Sequence, residues 1–259
     1  MPRAQMVFAR PLAPSCHHHG MADDPPVSFI VPAHNEQRLI AACLEAIHAS
    51  ARELRADYEI IVVDDASTDD TAGIAGEHGA RVVHVQHRQI AASRNSGGHA
   101  ANGDWLFFID ADTLINPDYL AAALRALRGG ASGGGAGVKL IGPTRLHERI
   151  GQWLMIHVFR LVGVTPGCSL FCTRAAFKAI GGFDERYYAG EDVAMGRALA
   201  RHGRLVIVHE VVMTSARKLR THSLGYQLRL LGRFLWRGRR MLHSRDELEM
   251  WYGDRRDEP

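Results

Sequence analysis

Apolar residues fall in short unbroken runs separated by polar clusters from residue 27 to about residue 127. Val27–Pro32 (VSFIVP), Tyr58–Asp64 (YEIIVVD), Arg81–Val85 and Asp104–Ile109 read as strands. Between them, Glu36–Ser50 repeats Leu39, Ile40, Cys43, Leu44 and Ile47 at helical spacing. A second helix ends near Gly79, with Ser67 or Thr68 placed as its cap, and Ile90–Ala101 forms a short third helix. Runs that are continuous rather than alternating mean strands covered on both faces. Their alternation with helices predicts an α/β fold with a mostly parallel central sheet and helices on both sides.

Ligands of such sheets bind outside the carboxyl ends of the strands. "AHNE" follows the first strand, "DDASTDD" the second and "DADT" the fourth, so separate segments aim their polar ends at one rim. Downstream, Arg128–Val138 (RGGASGGGAGV) reads as a flexible connection into a strand at Val138–Ile141, and it lacks the lysine of a phosphate loop. Arg145–Val162 shows a helical apolar face with Trp153, Ile156 and Phe159. "GCSLFCT" reads as a strand, "RAAFKAI" as a short helix ended by Gly181 and Gly182, and "RLVIVHE" as a further strand. "AGEDVAMGRALARHG" is a helix with acids at its start and Gly203 at its close. On a strand, Cys168 and Cys172 would share one face as core thiols.

Length and charge sharpen this only in places. The 259 residues suit one large α/β domain with a small appendage, and 46% hydrophobic residues supply its core. A net charge of +3 says little, but Arg217–Arg245 holds many arginines and no acid. There, Leu224, Leu228, Leu231 and Leu235 form one helical stripe, and Arg229, Arg233, Arg237 and Arg240 another. Such a helix, with Trp236, lies on an anionic membrane surface or packs on the domain with its arginines solvated. The expected organisation is a flexible extension over 1–26, the α/β domain over 27–215 and a basic helical tail over 216–259. Four cysteines without a disulfide framework suggest a reduced, cytoplasmic compartment. No run is long enough for a transmembrane helix, residues 1–24 lack the apolar stretch of a secretory signal, and no nucleic-acid partner is expected.

The candidate chemistry sits at the rim. Asp110 and Asp112, on extended chain, face one way about 6.5 Å apart, a pair of hard oxygen donors suited to Mg2+ or Mn2+. Two solvated acids at a strand end is the plainer alternative. Asp64 and Asp65 can accept hydrogen bonds from a base or ribose, or simply cap a helix. Arg94 can pair with a diphosphate or a neighbouring carboxylate. Glu191 and Asp192 open a helix, whose dipole favours their charged form at neutral pH, where either could accept a proton.

"VSFIVPAHNE", "EIIVVDDASTDDT", "ASRNSG", "FFIDADT" and "GGFDERYYAGEDVAMGRALARHG" occur in this order. Together they resemble the family-2 glycosyltransferases, over about residues 27–215. The resemblance implies a GT-A-type, Rossmann-like three-layer sandwich and inverting transfer of a sugar from a nucleotide-diphosphate sugar. The acceptor would be a hydroxyl on a glycan or a lipid-linked molecule. Pro32, Ala33 and Glu36 would line the nucleotide pocket, Asp65 would contact the base with Asp64 beside it, and Arg94 would hold the nucleotide half of the donor. Asp110, Ala111 and Asp112 would be the D-x-D motif, with Asp112 the more direct ligand of Mn2+ or Mg2+. Gly181, Gly182 and Phe183 would shape the acceptor side. Asp192 would be the catalytic base beside Glu191, and Arg197 matches an arginine often found on that helix.

Two departures accompany the resemblance. Relatives often carry a metal-binding histidine downstream; His209 and His222 are the candidates here, and Arg217 is a possible diphosphate contact instead. The family also includes polyprenyl-phosphate sugar synthases, whose lipid-phosphate acceptor asks less of a base. A nucleotidyltransferase ranks lower because "PAHNEQR" lacks a glycine-rich loop, and a non-catalytic nucleotide-binding module ranks lower because Asp110, Asp112 and Asp192 are all present.

Overall fold

A computed structural model describes residues 7–8, 24–141 and 167–215. Among the described residues nine strands form one sheet: β1 (Val7–Phe8), β2 (Val27–Ala33), β3 (Tyr58–Asp65), β4 (Arg81–Val85), β5 (Trp105–Ile109), β6 (Thr113–Leu114), β7 (Gly133–Ile141), β8 (Ser169–Thr173) and β9 (Leu205–Ser215). Six helices are described: α1 (Ile40–Glu53), α2 (Thr71–Glu77), α3 (Ile90–Ala100), α4 (Pro117–Arg128), α5 (Arg174–Ile180) and α6 (Glu191–His202). The strand order is β1-β9-β7-β8-β5-β2-β3-β4, with β6 paired to β9.

The expected layers are present. In β2, Phe29 and Val31 point into one apolar cluster while Ile30 points into the other. The first cluster takes Ile40, Leu44 and Ile47 of α1 and Tyr119, Leu120 and Leu124 of α4. The second takes Ala91 of α3, Phe177 of α5, and Met195 and Leu199 of α6. A strand feeding two cores needs apolar residues at both parities, which is why the runs are continuous. Pairing is parallel across β5-β2-β3-β4, but β8 runs antiparallel between β5 and β7. Because β7 and β9 then return to the direction of β5, the carboxyl ends of β5 and β9 meet at the same rim.

Several expectations change. The glycine-rich stretch is strand rather than linker: β7 begins at Gly133 and pairs with both β8 and β9. A Cβ on Gly134 would lie 2.6 Å from the Phe171 ring and closer still to the Val206 carbonyl, so glycine is what lets three strands approach. Helix α1 starts at Ile40, after a turn in which Glu36 O accepts from Leu39 N and Ile40 N at 2.9 Å. Ser67 and Thr68 do not cap α2; they bind Asn35 and tie the loop after β3 to the loop after β2. The two cysteines part company, Cys172 in the second cluster and Cys168, ahead of β8, against the first. Within the extension expected over 1–26, Val7–Phe8 pairs in parallel with β9. The Arg145–Val162 helix and the basic tail over 216–259, with Arg217 and His222, lie outside the described residues.

Candidate active site

The loops after β2, β3 and β4 form one end of the rim. Each contains a non-glycine residue with left-handed backbone: Asn35 (φ 52°), Ala66 (φ 57°) and Arg88 (φ 51°). Such strain persists only where surroundings hold it, and it concentrates at functional sites. Hydrogen bonds supply the hold. Asn35 N donates to Ser67 Oγ at 3.0 Å, Thr68 N to Asn35 Oδ1 at 2.8 Å, and Glu36 N to Thr71 Oγ1 at 2.8 Å. Pro32 and Ala33 end β2 directly above this knot, with Ala33 and Glu36 buried.

Asp65 is the anchor of the next loop. Its buried carboxylate accepts from Arg88 N at 2.7 Å, Gln89 N at 3.0 Å and Ser93 Oγ at 2.8 Å. It therefore fixes the entry to α3. Asp64, beside it, accepts from Ser67 N at 3.3 Å and pairs with His84 at 3.1 Å.

Asp110 and Asp112 do not lie on extended chain. The strand ends at Ile109, and Thr113 N donates back to Asp110 O at 2.9 Å, so Asp110, Ala111 and Asp112 occupy a turn. The two carboxylates consequently have different partners. Asp110 pairs with Arg94 at 2.7 Å, while Asp112 accepts from Thr214 Oγ1 at 3.3 Å and its carbonyl from Ser215 N at 3.2 Å. Thr214, at the end of β9, belongs to this site by geometry; nothing in the local pattern "VVMTS" signals it.

Arg94 is the centre of the site. Only 2% exposed, it donates from Nη1 to Glu191 Oε1 at 2.7 Å, and from Nη2 to Asp110 Oδ1 at 2.7 Å and Gly167 O at 2.9 Å. Its guanidinium carbon lies 5.3 Å from the centroid of the Phe183 ring. Burial works against its charge, but Asp110, Glu191 and Asp192 outweigh burial and raise its pKa further. Arg94 thus binds the acids of the rim together rather than presenting its guanidinium to solvent.

Glu191 and Asp192 begin α6 after Gly190. Glu191 is buried in its ion pair with Arg94. Asp192 is the surprise. Burial and the neighbouring charge of Glu191 push its pKa up to about 7, against the opposing pull of Arg94 and of the Val193 N–H. At neutral pH it is poised between acid and carboxylate, where the helix dipole alone predicted a carboxylate.

The acceptor-side trio is structural in part. Gly181 ends α5 with φ 80°, and Gly182 (φ 76°) passes so close to Asn95 that a Cβ would lie 2.5 Å from its Oδ1. Phe183 is buried against Phe108 at 4.9 Å and under Arg94, and Asn95 grips its backbone through N at 2.8 Å and O at 2.9 Å. His209 is exposed on β9, six residues before Ser215 and thus about 20 Å along a strand from the acids. It is not a ligand to a metal there. Among the described residues no group of three or more His, Cys, Asp or Glu side chains could hold a metal. The donors that could are the oxygens of Asp112 and Asp110 with the Thr214 hydroxyl, a hard set compatible with Mg2+ or Mn2+ that keeps positions for phosphate oxygens and water.

Comparison with known proteins gives a consistent result. The family described as Glycosyl transferase family 2 matches residues 28–173. The putative glycosyltransferase EpsH of Bacillus subtilis is 35% identical over 108 residues, covering 40% of this chain and 30% of the relative. The undecaprenyl-phosphate 4-deoxy-4-formamido-L-arabinose transferase of Pseudomonas fluorescens is 37% identical over 99 residues, covering 35% and 28%. The mannosyltransferase PcManGT from Pyrobaculum calidifontis, solved with GDP-Man and Mn2+, superposes with a TM-score of 0.59 at 23% identity, over 85% of this chain and 61% of that one. The chain thus spans less than a third of the length of these two curated relatives, and the structural likeness speaks for the GT-A fold.

Proposed function

The chain belongs to glycosyl transferase family 2, and we propose that it moves a sugar from a nucleoside-diphosphate sugar to an acceptor hydroxyl with inversion at the sugar carbon. The observation that carries this reading is Arg94, whose two amino groups bind Asp110 on the donor side and Glu191 on the acceptor side. One buried cation thereby fixes the spacing between the D-x-D turn and the start of α6.

In the proposed reaction the base and ribose lie over the loops after β2 and β3, against Pro32, Ala33, Glu36, Asp64 and Asp65. Asp65 acts by fixing the loop that receives the base. Asp112 and Asp110 would hold a divalent cation, Mn2+ or Mg2+, whose charge would offset the negative charge developing on the leaving diphosphate. Asp192 takes the proton of the acceptor hydroxyl, a contribution of about 10²–10⁴ in rate. The acceptor oxygen forms its bond to the sugar carbon as the bond to the diphosphate oxygen breaks on the opposite face. A carboxylate with a pKa near 7 is well matched to this step, strong enough as a base and largely deprotonated just above neutrality.

A lipid phosphate is the alternative acceptor, favoured by the undecaprenyl-phosphate transferase relative; its oxygen is already ionised, so it would not need Asp192 as base. In either case we infer a cytoplasmic site of action, and the basic, amphipathic pattern of residues 216–259 supports a role for the tail at an anionic membrane surface. Among the described residues no helix is long and apolar enough to cross a membrane. Removing the chain after Leu219 should end sedimentation with anionic liposomes, and unchanged sedimentation refutes the membrane role of the tail.

The deciding experiment is a thermal-shift panel of UDP-, GDP- and dTDP-sugars with and without Mn2+, on wild type and Asp112→Ala. A true donor stabilises the folded protein by mass action. Stabilisation should require the metal and vanish in the variant. Metal-independent binding of equal strength refutes the metal assignment, and no binding by any donor refutes the function.

A further inference from the structure

The loop from Gly181 to Gly190 and the outer face of α6 border a half-open cavity of about 700 Å3, within the range of small-ligand sites. It borders the buried Arg94 cluster through Phe183 and Met195, while Glu191 and Leu199 turn inward and Val193, Arg197 and Arg201 recur along the cavity wall. We propose that this cavity binds a phosphate group carried by the acceptor, with Arg197 and Arg201 as its ligands. The proposal rests on the glycosyltransferase reading above and adds to it the chemical class of the acceptor.

The charge of the lining points to an anion. Among the described residues Asp184 is the one acid that lines the cavity, and it is already engaged by Arg186, through Nε at 2.9 Å and Nη2 at 2.7 Å. That pair is close to neutral. Arg197 and Arg201 remain, both exposed, and among the described residues neither forms a salt bridge. Like charges four residues apart on a helix repel each other. The helix C-terminus offsets this for Arg201 in the last turn, but Arg197 lies mid-helix, beyond that help. A dianionic phosphate accepts from both guanidinium forks and turns the repulsion into attraction.

The position fits an acceptor. Gly190 and Val193 line the cavity and flank Asp192 in sequence, so it opens beside the start of α6. At the helical rise, Arg197 is about 6 Å and Arg201 about 12 Å further along than Val193. An acceptor whose hydroxyl meets Asp192 would carry its phosphate over that span. The opposite wall is already ordered by the helix that carries Arg94: Asn95 grips Phe183, and Gln89 Nε2 donates to Glu185 O at 2.6 Å. Little ordering remains to be done on binding.

The phosphate could belong to a soluble sugar phosphate or to a lipid-linked one, and the test separates them. The full chain, in EDTA and at constant ionic strength, is titrated calorimetrically with inorganic phosphate, glucose 6-phosphate, and farnesyl phosphate in detergent micelles against empty micelles. R197Q/R201Q should weaken phosphate binding at least about tenfold, the effect of losing a charge-assisted contact. Arg197→Lys, which keeps the charge but not the fork, should fall between. Metal-dependent binding of a nucleoside diphosphate should be unchanged in every variant, which also certifies that each is folded. Micellar farnesyl phosphate binding more tightly than glucose 6-phosphate, with the difference lost in R197Q/R201Q, assigns a lipid-linked source; the reverse order assigns a soluble one. No saturable phosphate binding by the wild type, or full retention in R197Q/R201Q, overturns the proposal. Failure of the wild type to bind a nucleoside diphosphate refutes the glycosyltransferase reading instead, and is read independently.

Discussion

Arg94 Nη1 meets Glu191 Oε1 at 2.7 Å across 97 residues of chain, and the same guanidinium reaches Asp110 through its other amino group. Cutting that link leaves a buried carboxylate without its counter-ion. Arg94→Ala should cost about 3–5 kcal/mol, the usual penalty for orphaning one member of a buried pair. Arg94→Lys should cost less but still lose most turnover, because one ammonium on a flexible stem cannot span both acids. Urea unfolding and kcat on the same preparations test this; a stable, fully active Arg94→Lys would show that the bridge is not needed.

Asp192 sets a pH dependence for both activity and stability. Its pKa, pushed up to about 7 by burial and by Glu191, makes a proton-accepting rate fall as pH drops below neutrality. The stability effect runs the other way. Between the ordinary aspartate value near 3.8 and about 7 the folded state holds a proton that the unfolded state has released, so this group's contribution weakens as pH rises through that window and is flat above it. Asp192→Asn, which stays neutral, should therefore be more stable than wild type at pH 8 and lose that advantage near pH 4, while transfer to a hydroxyl disappears. Paired melts at the two pH values check the sign; a variant less stable at pH 8 contradicts the assignment.

The difference between what local pattern revealed and what it hid follows from range. Strands such as Tyr58–Asp65 and Trp105–Ile109 were legible because a sheet covered on both faces demands unbroken apolar runs. The rim was legible because parallel strands deliver their polar ends to one side. Gly133–Gly135 reads locally as linker because the reason for glycine there lies in Phe171 and Val206, strands away in sequence. For Arg94 the residue type alone allows a diphosphate or a neighbouring carboxylate as partner; the structure pairs it with Asp110 and Glu191, and "ASRNSG" cannot disclose which carboxylate lies 97 residues on. Asp192 was expected to be charged, since helix position is local and burial is not. Thr214 escaped notice for the same reason.

Far from the candidate site, Glu59 at the start of β3 should control the acid limit of the fold. Partial burial works to raise its pKa, but the N–H of Asn102, the hydroxyl of Ser28, Arg81 and the Asn102 amide together lower it to about 2. With a folded pKa below the usual value near 4.5, the contribution is complete above that value and is lost as pH falls toward 2. Glu59→Gln should thus destabilise at pH 7, with the gap to wild type closing by pH 2–3. A gap independent of pH would assign the effect to shape rather than charge.

Ala66 offers a stabilising change beside the site. Its backbone is left-handed at φ 57°, a conformation that crowds Cβ against the following carbonyl and costs an L-residue about 1–2 kcal/mol. Glycine removes that cost but gives the unfolded chain more freedom, which returns about 0.4–1 kcal/mol. The net expectation for Ala66→Gly is a gain of about 0–1.6 kcal/mol. Activity should persist, because the loop is held by Asp65 through Arg88, Gln89 and Ser93, and by Asn35 through Ser67 and Thr68. A higher urea midpoint with an unchanged slope is the expected reading. A lower midpoint would mean that the chain's stiffness at this turn contributes more than the relief of its strain.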